Sequence, residues 1–301
     1  DAHGLLKFNE TGLLPSEIKA IFWNQPLTLA MKTYQSDNSF GLKGEIESII
    51  SMEDIGKYFG YGIDRFIVGD VNYRADFDVK TKRGVVDTTV EATSNLQGAN
   101  IKMPLPLTKP LDAARELNLS LSIHDNQFSE IKYSYADAVK GVVKFKHNNF
   151  GGKITSTNAL TLFHWSDWKA YLDGPSKGIS AHKTTDMLKQ YIDRVSITVG
   201  DLTIMGQSLS DALLSVSPKP DAWLLQIDSD AILGELSIPD KFTTGQFTGK
   251  FKQLHIAPLP VDFNTASDAM APEILPAIKM DAKDFSFGKK QFGETHLRLV
   301  P

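Results

Sequence analysis

The sequence contains no cysteine. Disulfides, thiolate metal sites, iron–sulfur clusters and cysteine nucleophiles are excluded together. Long apolar runs are missing too: the longest, such as Ala20-Ile21-Phe22-Trp23 and Ala222-Trp223-Leu224-Leu225, reach four residues. A transmembrane helix needs about 20. Charge of one sign is scarce, since 32 Lys and Arg face 36 Asp and Glu, a formal net charge of −4 over 301 residues. Nucleic acid is excluded as a partner, because phosphate backbones call for a concentrated basic surface. No signal peptide follows Asp1. The expectation is a piece of a longer protein, with any anchor or export signal outside it.

Catalytic signatures are equally thin. The seven histidines (His3, His124, His147, His164, His182, His255 and His296) are scattered and form no HExxH helix. Gly206-Gln207-Ser208-Leu209-Ser210 fails as a nucleophile elbow at its last position. Gly151-Gly152-Lys153 lacks the upstream glycine of a P-loop. Gly60-Tyr61-Gly62 has Arg65 where a dinucleotide fingerprint needs glycine. Asp76/Asp78 and Asp228/Asp230 are i,i+2 carboxylates suited to weak Ca²⁺ binding or to glycoside chemistry, with solvated strand charges as the plainer account. Trp165, Trp168 and Trp223 suit a sugar-stacking platform or, more simply, core anchoring. No catalytic residue, cofactor or metal is expected.

The chain has instead a persistent period of two. Val71, Tyr73, Ala75, Phe77 and Val79 alternate with polar residues, as do Ile131, Tyr133 and Tyr135. Val195, Ile197 and Val199 do the same, and so do Trp223, Leu225 and Ile227. Alternation puts one apolar and one polar face on each strand. Buried parallel strands would read as solid apolar runs, so the pattern predicts antiparallel sheet with one wet side. Short helices are expected at Ser16–Trp23, at Ser51–Phe59 behind the capping box Ser51-Met52-Glu53-Asp54, and at Thr184–Ile192.

Asp173-Gly174-Pro175-Ser176-Lys177-Gly178 is the best internal break and Asn264–Pro276 a second loop. Two β-rich parts follow, 1–173 and 179–301. Residues 195–218 and 278–301 align without a gap at an offset of 83, pairing Asp201 with Asp284 and Pro218 with Pro301. Each copy reads as a hairpin with its apolar positions in phase. The first copy runs on into Trp223–Ile227 and the second ends at Pro301, so truncation inside a repeat is expected. Leu96–Pro106 and Phe251–Pro260 both run into Pro-Leu-Pro, where proline ends ladder pairing. Such repeats favour an elongated array over a closed globule.

Four segments in order carry a family likeness: LQGANIKMPLPLTK (Leu96–Lys109), WLLQIDSDAILGELSIP (Trp223–Pro239), FKQLHIAPLP (Phe251–Pro260) and LPAIKMDAKDFSFGKKQFGETHLRLVP (Leu275–Pro301). Together they resemble the AsmA-like family, in its YhdP-type branch, from about Leu14 to Pro301 and most strongly after Gly178. The resemblance implies a periplasmic segment of an inner-membrane-anchored Gram-negative envelope protein. It implies a bridge-like lipid-transfer protein, with an elongated, curved antiparallel sheet forming an apolar groove. The implied role is non-enzymatic: conducting phospholipids between inner and outer membranes, in support of the outer-membrane permeability barrier. The implied partners are phospholipid acyl chains, the two membranes through parts outside this chain, and other envelope proteins.

The expected groove wall comprises Val71, Tyr73 and Phe77, then Ile131 and Tyr133, then Val195 and Ile197, then Trp223, Leu225 and Ile227, and Met280. Each is equally suited to ordinary core packing. The competing expectation is a closed β-sandwich that binds envelope glycan or a protein partner at its rim, and the least favoured is a hydrolase using an aspartate pair.

Overall fold

A computed structural model describes residues 2–36, 39–59, 66–148, 151–172, 189–204, 206–240, 245–258 and 277–300. The chain divides into two compact units, Asp1–Phe145 and Lys146–Pro301. The Gly/Pro break expected at 173–178 lies outside the described residues, as does the loop expected at 264–276.

The first unit holds β1 (Ala2–Gly4), β2 (Phe8–Asn9), β3 (Gly12–Leu13), β4 (Ser16–Phe22), β5 (Gln25–Ser36), β6 (Ser39–Ser51), α1 (Met52–Phe59), β7 (Ile67–Lys82), β8 (Val85–Ser94), β9 (Ala99–Ile101), β10 (Leu117–His124) and β11 (Gln127–Tyr135). β12 (Val139–Asn148) contains the division between the units. The second unit continues with β13 (Gly151–His164), α2 (Trp165–Leu172), β14 (Ile192–Ile204), β15 (Gln207–Lys219), β16 (Ala222–Asp228), β17 (Ile232–Pro239), β18 (Gln246–Ile256), β19 (Ala277–Phe287) and β20 (Lys290–Leu299).

Eighteen strands belong to one mixed sheet that does not close into a barrel, and β2 and β3 form a small separate hairpin. The fold is therefore mainly β with few short helices, as the alternation predicts. Pairing is antiparallel throughout β4–β8, β10–β12 and β14–β18. It departs from the antiparallel expectation at β13–β14 and β18–β19, which are parallel. Both junctions follow long connections, 165–191 and 257–276, and a parallel neighbour can be reached only by such a crossover. No second large sheet is present among the described residues to close the sandwich of the competing expectation.

The helix expected at Ser16–Trp23 is a strand. β4 pairs with β1 on one side and β5 on the other, and its ladder replaces the helical bonds that one apolar stripe would have favoured. Its alternation sends Ile18 and Ile21 to opposite faces, leaving Ile21 60% exposed. Trp23 and Asn24 close the hairpin with φ of 49° and 59°. Two consecutive left-handed residues are the mark of a type I′ turn. Ser51–Phe59 is helical as α1, from Met52. Of Thr184–Ile192, the residues to Leu188 lie outside the described ones, Lys189–Tyr191 are helical, and Ile192 opens β14.

The 83-residue repeat is a structural one within the second unit. Val195 pairs with Val216 and Ile197 with Leu214 in β14–β15. Ile278 pairs with Leu299 and Met280 with Leu297 in β19–β20, at the corresponding positions. The copies part at the far end, where a register shift sets Phe285 against Gly293 instead of Phe292. One extra residue in one strand produces that shift.

Candidate functional site

Residues directly opposite in neighbouring strands share a face, so the pairing registers show which side chains line up across each unit. In the first unit one row runs Ile18, Leu29, Ile46, Ala75, Ala92, Leu119, Tyr133 and Gly141, across β4–β8 and β10–β12. The next runs Met31, Gly44, Phe77, Val90, Leu121, Ile131 and Val143. In the second unit a row runs Ile197, Leu214, Ile227, Gly234, Phe251 and Ala282. Beside it lies Val195, Val216, Leu225, Leu236, Gly249, Met280 and Leu297. Both units thus present apolar rows that cross six or more strands without a charged residue.

The intervening positions carry the charge. Lys19, Thr28, Glu47, Arg74 and Thr93 align on the reverse face of the first unit. Gln226, Glu235, Lys250, Asp281 and His296 align on that of the second. Cross-strand pairs of opposite charge occupy it, including Arg74 with Glu45 and Lys144 with Glu130.

Each apolar face is buried at one end of its strands. In the first unit Met52 and Ile55 of α1, with Leu96, Ala99, Ile101, Met103 and Leu107, pack over Val71, Leu117, Tyr135 and Val139. Within this cover the Lys109 ammonium, fully buried, donates to the carbonyl oxygens of Ala99 (2.7 Å) and Pro110 (2.9 Å). Arg115 donates to Pro106 O and Tyr135 to Leu107 O. In the second unit Val199, Leu202, Leu209, Ile232 and Leu254 are buried together. Towards the other end the wall is half-buried, at Tyr73, Phe77, Ile131 and Tyr133 and at Val195, Ile197, Trp223, Leu225, Ile227 and Met280. Burial pushes the Tyr133 phenol above its ordinary pKa.

All eleven side chains proposed from sequence stand on these faces, five in the first unit and six in the second. Val71 differs from the rest: it is 2% exposed beneath α1 and belongs to the packed core. The sequence reading missed Leu29, Ile46, Leu119 and Leu121, although the same alternation marks β5, β6 and β10. It also missed the glycines. A Cβ at Gly44 would fall 2.6 Å from Phe77 Cζ, and one at Gly234 2.6 Å from Phe251 Cδ1. Both rings lie across a glycine of the neighbouring strand, which keeps these rows low.

The other candidates are absorbed by packing and pairing. Trp165 and Trp168 lie on α2, where Trp168 stacks on Phe163 at 5.6 Å, and Trp223 lies in an apolar row. They form no common platform. Asp78 accepts from Tyr34 (2.6 Å) and pairs with Lys80. Partial burial opposes ionisation of its carboxyl, but those hydrogen bonds outweigh it and hold the pKa below the ordinary value.

His296 Nδ1 lies 2.7 Å from Asp281 Oδ1 on the polar face. The hydrogen bond, then the carboxylate charge, raises the His296 pKa above 6.5, and the same bond lowers that of Asp281 below 3.8. The stabilisation is present below pH 6.5 for the histidine and lost as pH rises through its folded pKa. For the aspartate it is present above pH 3.8 and lost as pH falls through its folded pKa. An NMR titration of His296 is expected to give a midpoint above 6.5 that falls back in Asp281→Asn. An unchanged midpoint would show that the pair does not persist in solution.

No helix among the described residues is long and apolar enough to cross a membrane. A family model described as YhdP protein matches residues 1–301. No curated protein and no solved structure matches the chain.

Proposed function

Because the chain belongs to the YhdP family, we propose that its apolar faces bind phospholipid acyl chains and conduct them between the inner and outer membranes. The observation that carries this reading is the unbroken apolar row crossing strand after strand, half-buried along much of its length. Neighbouring strands are about 4.8 Å apart, so eight strands offer a strip roughly 34 Å long, enough for an extended acyl chain lying across the strands. Each buried methylene is worth about 0.8 kcal/mol, and a two-chain lipid needs on the order of 20 kcal/mol of such contact to leave its bilayer without penalty. A continuous wall supplies that contact; an isolated pocket does not.

The conduit is non-catalytic in this reading. It acts in the periplasm as part of an inner-membrane-anchored protein. Lipid moves past the rows while the charged reverse face stays in water. The covered ends at Val71 and at Leu202 confine the chains to the half-buried part of each wall.

The test is photo-crosslinking in cells from residues placed at Ile197, Leu225 and Thr198. Ile197 and Leu225 are expected to capture phospholipid, identified by mass spectrometry, while Thr198 on the reverse face captures none. Equal capture at all three positions, or none at any, sinks the proposal.

A further inference from the structure

The half-buried end of the apolar face in the second unit is bordered by lysines. Pro218 and Trp223 pair across β15 and β16 at the limit of the rows, and Lys189 Nζ stands 5.7 Å from the centre of the Trp223 ring. Beside them Lys153, Lys189 and Lys219 line a recess of about 330 Å³, whose other lining residues are Gln190, Pro218 and Pro220. None of these lining residues is a carboxylate.

The three ammonium groups are not equally engaged. Lys189, whose side chain is only 12% exposed, pairs with Asp240 and donates to the carbonyl oxygens of Lys219 (3.0 Å) and Pro220 (3.4 Å). Its charge is offset by that aspartate, and its role is to fix the turn. Among the described residues Lys153 donates one hydrogen bond, to Lys189 O (3.2 Å), which leaves two N–H groups there. Lys219 is exposed, and its ammonium has no partner among the described residues. The recess therefore carries net positive charge and free donors next to an aromatic, apolar strip.

Phosphate oxygens are the acceptors that such donors recognise, since charge-assisted hydrogen bonds to them are short and strong. We propose that Lys153 and Lys219 bind the phosphate of a phospholipid headgroup while its acyl chains lie on the rows beginning at Trp223. The proposal rests on the conduit reading and adds to it a polar docking point at the edge of the wall. The phosphodiester is held at the border with water, and the hydrocarbon is taken by Trp223, Leu225 and the residues behind them.

The test compares three soluble probes on the full chain: dihexanoylphosphatidylglycerol, dihexanoylglycerol and glycerol 3-phosphate. Binding is followed through tryptophan fluorescence and native mass spectrometry. The phosphatidyl probe is expected to bind about tenfold or more tighter than dihexanoylglycerol, and the difference should shrink as salt is raised. Lys153→Gln/Lys219→Gln should abolish the difference and leave dihexanoylglycerol binding unchanged; Lys219→Gln alone, at an exposed site, should reduce it. Equal binding of the two chain-bearing probes overturns the headgroup site but leaves the conduit reading intact. Failure of both to bind overturns the conduit reading itself. Binding of glycerol 3-phosphate as tight as that of the phosphatidyl probe makes the recess a free-phosphate site and overturns its assignment to lipid.

Discussion

Leu225→Asp is expected to reduce phospholipid capture by the apolar wall of the second unit about a hundredfold without unfolding the sheet. Leu225 sits between Val216 and Leu236 in a row that continues to Met280 and Leu297. An unpaired carboxylate facing hydrocarbon costs several kcal/mol, and about 3 kcal/mol corresponds to two decades of occupancy. The side chain is only half-buried, so in the unoccupied protein the aspartate can stay hydrated and the ladder is retained. Thr198→Asp places the same charge on the reverse face and is expected to leave capture unchanged. The comparison is read as lipid co-purified per protein, with circular dichroism as the check on folding. Equal lipid in Leu225→Asp and the parent protein would mean that chains do not travel over this row.

Lys109→Ala is expected to cost about 3–5 kcal/mol of stability, the largest loss from any single charged side chain of the first unit. The change strands the carbonyls of Ala99 and Pro110, each bound by a charged donor, and leaves a void where a four-carbon stem was packed. Lys109→Met refills much of the void but not the hydrogen bonds, so its loss should be smaller yet still exceed about 1 kcal/mol. Urea unfolding followed at Tyr135 and by the overall circular dichroism measures both. Burial pushes the Lys109 ammonium below 10.5, the nearby Asp112 charge only partly opposing it. Between the folded pKa and 10.5 the unfolded chain holds the proton that the native state has released. Stability should therefore rise with pH through that window, and Lys109→Met should remove this rise. A variant within about 1 kcal/mol of the parent would show that the cover over Val71 is held by apolar packing alone.

The two variants differ in how far the sequence announced them. Leu225 is legible at once, because Trp223, Leu225 and Ile227 keep strict alternation and the strand that carries them is set by local pattern. The same holds for Tyr73, Phe77, Ile131 and Ile197, and for the hairpin repeat at offset 83. Lys109 is not legible. It closes a motif that reads as a polar loop after Pro-Leu-Pro, and its burial follows from α1 and 96–115 folding over the ends of β7 and β11. Val71 falls to the core-packing alternative for the same reason, since period two identifies a face but not what covers it. The residues of Ser16–Trp23 form a strand rather than a helix because ladder pairing with β1 and β5 overrides an apolar stripe of helical spacing. The parallel junctions were hidden as well: alternation is the same whichever way the neighbour runs. The lysine recess is assembled from Lys153, Lys189 and Lys219, which three separate segments bring to one strand end.

The parallel junctions of the second unit set a rule of growth. Five strands, β14 to β18, run alternately up and down between the crossovers, so β18 ends pointing the way β14 began. A crossover then starts β19 in that same direction. Because the count between junctions is odd, one cycle returns the chain to its starting polarity, displaced by five strand spacings, about 24 Å. Whole cycles can accordingly be inserted or removed at the crossovers with every side chain keeping its face. Gain of a single strand would reverse the polarity at the next junction, making the pair antiparallel and the crossover unnecessary. Between two crossovers, strands are therefore gained or lost in pairs, since only an even change preserves the polarity at the next junction.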